Sequence, residues 1–287
     1  MAEVSASDAV GAGLRLVGPG LRQANIALGL LGAALVLTEL APGAQDNLAN
    51  TLLLALIRVP FIVIATAALL RLALGAGAAA NGGSAGPGGL QWHGLEGRVL
   101  AVQALLFLTY VSIGVVWIIV ASIGVGVLMS NGTIPKVEPP TGPMTPETAA
   151  ALMQGPMGPI MLAILAPALI VIVLVVLKLS LALPATAADG EVKVLRAWRL
   201  SRGVLWPIFA VSLLTFAISV AFAALGVTLT GVLTAAGAGG GEASLLPQAA
   251  AQAVGAIIGL PVSIGGYVHI YMGVRRRGLT QVRDAAG

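Results

Sequence analysis

Residues 99–129 read VLAVQALLFLTYVSIGVVWIIVASIGVGVLM, thirty-one positions without one charged side chain. A helix needs about 20 mostly apolar residues to cross the ~30 Å hydrocarbon core of a bilayer. This run exceeds that length, and Arg98 and Lys136 are the nearest charges on its two sides. The same pattern recurs at about 158–182, 204–235 and 246–273.

Two earlier segments fit less cleanly. Residues 24–41 (ANIALGLLGAALVLTELA) are apolar but short, with Glu39 near the end. Residues 51–74 (TLLLALIRVPFIVIATAALLRLAL) span only if Arg58 is accepted inside or near the edge. Joined by a polar turn at 42–50, they form a hairpin, which brings the expected total to six spans. Were that hairpin only interfacial, four would remain. The expected fold is therefore an all-α polytopic membrane helix bundle, a single transmembrane domain over 1–287.

Composition agrees. The chain is 58% hydrophobic and 9% charged, whereas soluble domains carry about 25% charged residues. Gly is abundant at 38 residues, as suits spans whose backbones approach closely. There is no Cys, so disulfides, thiolate metal sites and Cys nucleophiles are excluded. The net charge of +4 is better explained by loop cations than by nucleic acid, which is not an expected partner. Residues 1–22 carry Glu3, Asp8, Arg15 and Arg22 and lack the apolar run of a cleavable signal.

Lys and Arg set the orientation. With the N-terminus inside, thirteen of them fall on the inner side, and only Arg58 and Lys136 fall outside. The outer side instead collects Glu39, Asp46, Glu138, Glu147 and Glu242. This is the positive-inside pattern. It places both termini in the cytoplasm, with the protein expected in a bacterial inner membrane. Residues 75–90 read as a flexible inner linker and 130–156 as a proline-rich outer loop.

Two segments read as amphipathic and interfacial. In 5–17, Ser5 and Asp8 fit a capping box, and Gly18-Pro19-Gly20 is expected to break the helix. In 190–202 (GEVKVLRAWRLSR), Lys193, Arg196, Arg199 and Arg202 recur every three residues beside an apolar face. Such a stripe suits anionic headgroups; an ordinary cationic loop is the alternative.

Spans 2, 4 and 6 each contain one interior proline, Pro60, Pro167 and Pro261, a candidate kink. Pro60 and Pro167 lie eleven residues before Arg71 and Lys178, and Pro261 fourteen before Arg275. Three similarly oriented hairpins would explain this, as would chance.

No catalytic constellation is legible. His93 lies in an inner loop, and His269 lies between Tyr267 and Tyr271 near the inner end of span 6, neither beside a carboxylate at ligand spacing. The two tyrosines read as part of an aromatic belt with Trp92, Trp198 and Trp206. Neither metal nor cofactor is expected, and no charge other than Arg58 reads as deep. An intramembrane Arg is a functional candidate by default; Arg58 could pair with Glu39, snorkel outward, or serve a ligand or pore.

Residues 178–207 (KLSLALPATAADGEVKVLRAWRLSRGVLWP) carry a more specific pattern. Leu181-Ala-Leu-Pro-Ala185 follows a span, and Ala197-Trp-Arg-Leu-Ser-Arg-Gly203 leads into the next. Over about 30 residues this resembles bacterial multi-pass proteins related to the glycerophosphoryl diester phosphodiesterase membrane domain. The resemblance implies an inner-membrane protein of a group mostly without assigned function. No stretch reads as the catalytic barrel that names the group, so its enzymatic activity is not carried over. The resulting expectation is a non-catalytic module touching membrane lipid, anionic in character, and a protein partner. A channel or permease using the proline-bearing spans is the alternative.

Overall fold

The computed structural model describes residues 4–41, 48–75, 89–90, 92, 94–131, 157–192, 194–237 and 245–286. His93, Lys193, Asp46, Lys136, Glu138, Glu147, Glu242 and nearly all of the 75–90 and 130–156 loops lie outside them. The described chain is helical, with α1 (Ala6–Gln23), α2 (Asn25–Glu39), α3 (Leu48–Leu74), α4 (Gly94–Ser130) and α5 (Met157–Leu179). Then come α6 (Ala182–Asp189), α7 (Val194–Leu200), α8 (Leu205–Ala235) and α9 (Leu246–Ala286). It is an all-α polytopic helix bundle. Among the described residues, five helices are long and apolar enough to cross a membrane, and α1 with α2 makes a sixth candidate if the bent pair is one span.

That pair refines the first hairpin. The bend between α1 and α2 is 93°, and it sits at Ala24 rather than at Gly18-Pro19-Gly20. Pro19 lies within α1. Gly20 is there for contact: a Cβ on it would stand 3.0 Å from Leu69 Cδ2 and 3.5 Å from Pro261 Cγ. Ser5 caps the helix, accepting from the Asp8 N–H at 3.0 Å. At 15 residues, α2 is about 22 Å long, short of the ~30 Å core.

Contacts divide the chain into two compact units. The first comprises Met1–Gln103 and Leu177–Gly287, the second Ala104–Val176. In the first, α9 is the central post. It packs most extensively on α8 and α1, then on α2, α3 and α6. Small residues make this possible. A Cβ on Gly13 of α1 would collide with the Val262 carbonyl of α9, and one on Gly265 would sit 2.9 Å from the Ala12 carbonyl. Similarly, a Cβ on Gly226 of α8 would be 2.8 Å from Gln248 Cα. Two backbones can approach this closely where one of them lacks a side chain at the crossing, and membrane helices pack this way because lipid is as apolar as Leu. The α1 helix is accordingly seated on α8 and α9, with Ala9, Gly13 and Gly20 buried.

The second unit holds α4 from Ala104 and α5 up to Val176. Its large apolar side chains point outward, including Phe107 at 63%, Ile118 at 65% and Leu169 at 63% exposed. Pro60, Pro167 and Pro261 lie within α3, α5 and α9, and all three helices continue through them.

Candidate functional site

One end of the first unit gathers cations from several helices. Its centre is Asp189, the last residue of α6. Gly190 ends that helix in the left-handed region at φ 72°, a conformation glycine adopts without a Cβ penalty. The chain then turns into α7. The Asp189 Oδ2 accepts from Arg196 Nη1 at 2.7 Å, and Oδ1 accepts from the Tyr271 hydroxyl at 2.9 Å. Arg275 Nη1 stands 4.0 Å from the same Oδ1. One carboxylate thus ties α6 to α7 and to α9. Lys178, at the end of α5, places its ammonium 5.7 Å from the Trp198 ring, a cation–π contact.

This geometry alters the reading of 190–202. The helix is only Val194–Leu200. Ala197 and Ser201 face inward, while Leu195 (84%), Trp198 and Arg199 face out, as does Arg202 in the turn that follows. Arg196 is engaged by Asp189, so the basic stripe is not uniform. All three described arginines are exposed, but Arg196 is committed to Asp189, and Lys193 lies outside the described residues. The aromatic belt also changes. Tyr271 is buried at 2%, and the Tyr267 hydroxyl stands 2.9 Å from Ser212 Oγ of α8; both are internal hydrogen-bonding residues. Trp92 (55%), Trp198 (41%) and Trp206 (69%) remain exposed.

A cleft of about 420 Å³ opens at the same end. It is lined by Ala12, Arg15 and Leu16 of α1, by Leu72 and Ala73 of α3, and by Gly265, Val268, His269, Met272 and Arg276 of α9. The spacing explains the membership. Residues three and four apart share a helix face, so 12, 15 and 16 form one face of α1, and 265, 268, 269, 272 and 276 one face of α9. The seat of α1 on Gly265 brings the two faces together. The Arg15 Nε donates to the Gly11 carbonyl at 3.2 Å, which lays the side chain along α1. The lining contains two arginines and a histidine and no carboxylate.

Two ion pairs mark different levels of α3. More than a third of the way along it, Arg58 donates from Nη2 to Glu39 Oε2 at 3.0 Å and from Nε to Thr38 Oγ1 at 2.6 Å. Both partners lie on α2, and the pair is partly exposed, at 28% and 25%. Thirteen residues on, Arg71 Nη1 meets Glu96 Oε1 at 2.6 Å, with exposures of 9% and 0%. At 1.5 Å per residue, the pairs are separated by about 20 Å along the axis. The second pair is thus enclosed by protein, whereas the Arg58–Glu39 pair is partly exposed. Glu96 belongs to the first turn of α4, whose Leu95, Val99 and Val102 are also buried. The cue was available: Leu95, Glu96, Val99 and Val102 share one helical face. The neighbouring charge of Arg98 bounds the charge-free run and hides it.

Among the described residues, no three His, Asp or Glu side chains gather at metal-binding distance. Compared with known proteins, the chain matches no family model, no curated protein and no solved structure.

Proposed function

We propose that the protein is a non-catalytic module of a bacterial inner membrane, with both termini cytoplasmic, that holds anionic lipid at its cytoplasmic face. One observation carries this reading: Lys178, Arg196, Arg199, Arg275 and Arg276 of α5, α7 and α9 gather at one end of the first unit with Arg15 of α1. Cations at headgroup level attract anionic lipid by about 1 kcal/mol each near the surface. The exposed Leu195 and Trp198 beside Arg199 and Arg202 are suited to the adjoining apolar boundary.

Kinship with the phosphodiesterase-related membrane proteins is part of the same proposal. Its supporting residues are packed ones: Leu181, Ala182, Pro184, Ala185, Ala197 and Ser201 are buried. Their side-chain types are set by contact with the rest of the unit, which is why such a motif would recur in a family. A protein partner at the same face completes the proposal.

The test is lipid selectivity in reconstituted vesicles. Spin-labelled phosphatidylglycerol should associate with the protein severalfold more than spin-labelled phosphatidylcholine, and the preference should shrink in the R199Q/R202Q double variant. Equal association of the two lipids with the parent protein, or an unaltered preference in the variant, would overturn the reading. Orientation is tested separately, because the chain has no native Cys. A Ser7→Cys label should be protected from an impermeant reagent in intact cells, and an Ala49→Cys label should react.

A further inference from the structure

We infer that the cleft between α1, α3 and α9 is a discrete binding site for the phosphate-bearing headgroup of one anionic phospholipid. This inference rests on the proposed placement of that end at headgroup level. The site would hold its lipid stoichiometrically, unlike a cationic surface that exchanges lipid freely.

The argument is one of complementarity. The cleft has two kinds of wall on the same helix faces. Arg15, His269 and Arg276 supply cationic or hydrogen-bonding groups, while Leu16, Leu72 and Met272 supply apolar surface. A soluble anion would use only the first set, and an uncharged lipid only the second. An anionic amphiphile uses both. Guanidinium groups suit the purpose because their planar donors match phosphate oxygens in pairs. The volume of about 420 Å³ falls in the range of about 300–1,000 Å³ usual for small-molecule sites.

The base of the cleft is built in. Gly265 and Ala12 lie at the crossing of α1 on α9, where a Cβ on Gly265 would be 3.0 Å from Gly13 Cα. Arg15 follows Ala12 by three residues, and His269 follows Gly265 by four. The cationic groups therefore rise about one turn from a base of small side chains. This leaves an opening where two close-packed helices would otherwise fill the space. The lining residues belong to three helices of one compact unit, so the site needs no second chain.

The experiment uses the full chain in neutral detergent, with bound lipid read by native mass spectrometry. Added phosphatidylglycerol should give a single adduct that survives mild activation, and phosphatidylcholine should not. The R15Q/R276Q variant should weaken the adduct by about tenfold or more, as expected for losing charge-assisted hydrogen bonds. Ala73→Trp, which fills the cleft and leaves its charges, should also remove the adduct. In contrast, R199Q/R202Q should retain it, although that variant is expected to show a smaller lipid preference in vesicles. This separates failure of the cleft from failure of the wider reading. Thermal unfolding of each variant checks that it remains folded. Retention of the adduct in both R15Q/R276Q and Ala73→Trp would overturn the inference. So would displacement by inorganic phosphate at concentrations that match the lipid, because the site would then recognise a free anion.

Discussion

Long apolar helices occur in both units, and they are used in different ways. The helix Gly94–Val127, mostly in the second unit, has a mean hydropathy of 2.4 in its most apolar window, none of which is buried. The corresponding window of Leu246–Arg277 in the first unit reaches only 1.6, yet 56% of it is buried. In a soluble protein the ranking would be reversed. In a membrane a strongly apolar helix can face lipid, whereas a helix at the centre of a bundle needs Gly, Ala and a few polar groups. Between these two helices, then, hydropathy and burial run in opposite directions.

The comparison can be broken at its most buried point. Glu96→Gln leaves Arg71 almost fully buried opposite a neutral partner, and losing one member of such a pair costs about 3–5 kcal/mol. The expected outcome is a large fall in the thermal midpoint of the detergent-solubilised protein. An R71M/E96L double variant should recover much of that fall, since no lone charge then remains buried. A fall no greater than that of a surface substitution would show that the pair does not hold the first unit together.

Gly13→Ala comes next. The new Cβ meets the Val262 carbonyl, and overpacking typically costs about 1–3 kcal/mol, despite a gain of ~1 kcal/mol in helix propensity. Gly114→Ala in the second unit, where a Cβ meets nothing within 4 Å, should show only the gain. The two substitutions should therefore shift thermal stability in opposite directions, which sharpens the contrast between the units.

Arg58→Gln should have a smaller effect. The pair with Glu39 is about a quarter exposed on each side, and such pairs are worth about 1 kcal/mol or less. Glu39→Gln, measured alone and combined with Arg58→Gln, gives the coupling. A coupling near zero would show that Arg58 is held by Thr38 alone. The smallest effect is expected for Ile118→Ala, within about 0.5 kcal/mol, because this side chain is 65% exposed. A loss of several kcal/mol there would mean that a second molecule covers the face.

The legible and illegible parts of the site divide along the same physical line. Arg58 could be paired with Glu39 from sequence because the two flank one short turn. The Arg71–Glu96 pair could not, since the poorly patterned segment 75–90 separates its members and gives no register. Arg199 and Arg202 stand out by their spacing. The role of Arg196 does not, because Asp189 becomes its partner only when Gly190 turns the chain back. Arg15 and His269 are 254 residues apart, and nothing local links them. The glycines at 13 and 265 look like breakers or ordinary span residues, and only the crossing of α1 on α9 explains them.

By itself, the sequence determined that this chain lives in lipid, that it is helical, and about where each long apolar helix runs. Those properties follow from local quantities: the length of charge-free runs and the scarcity of polar surface. The tertiary structure alone decided which helix is central, which charges are buried, and where a cleft opens. These depend on backbones approaching to contact distance at a handful of small residues. Such an approach joins positions hundreds of residues apart and leaves no periodic signal along the chain.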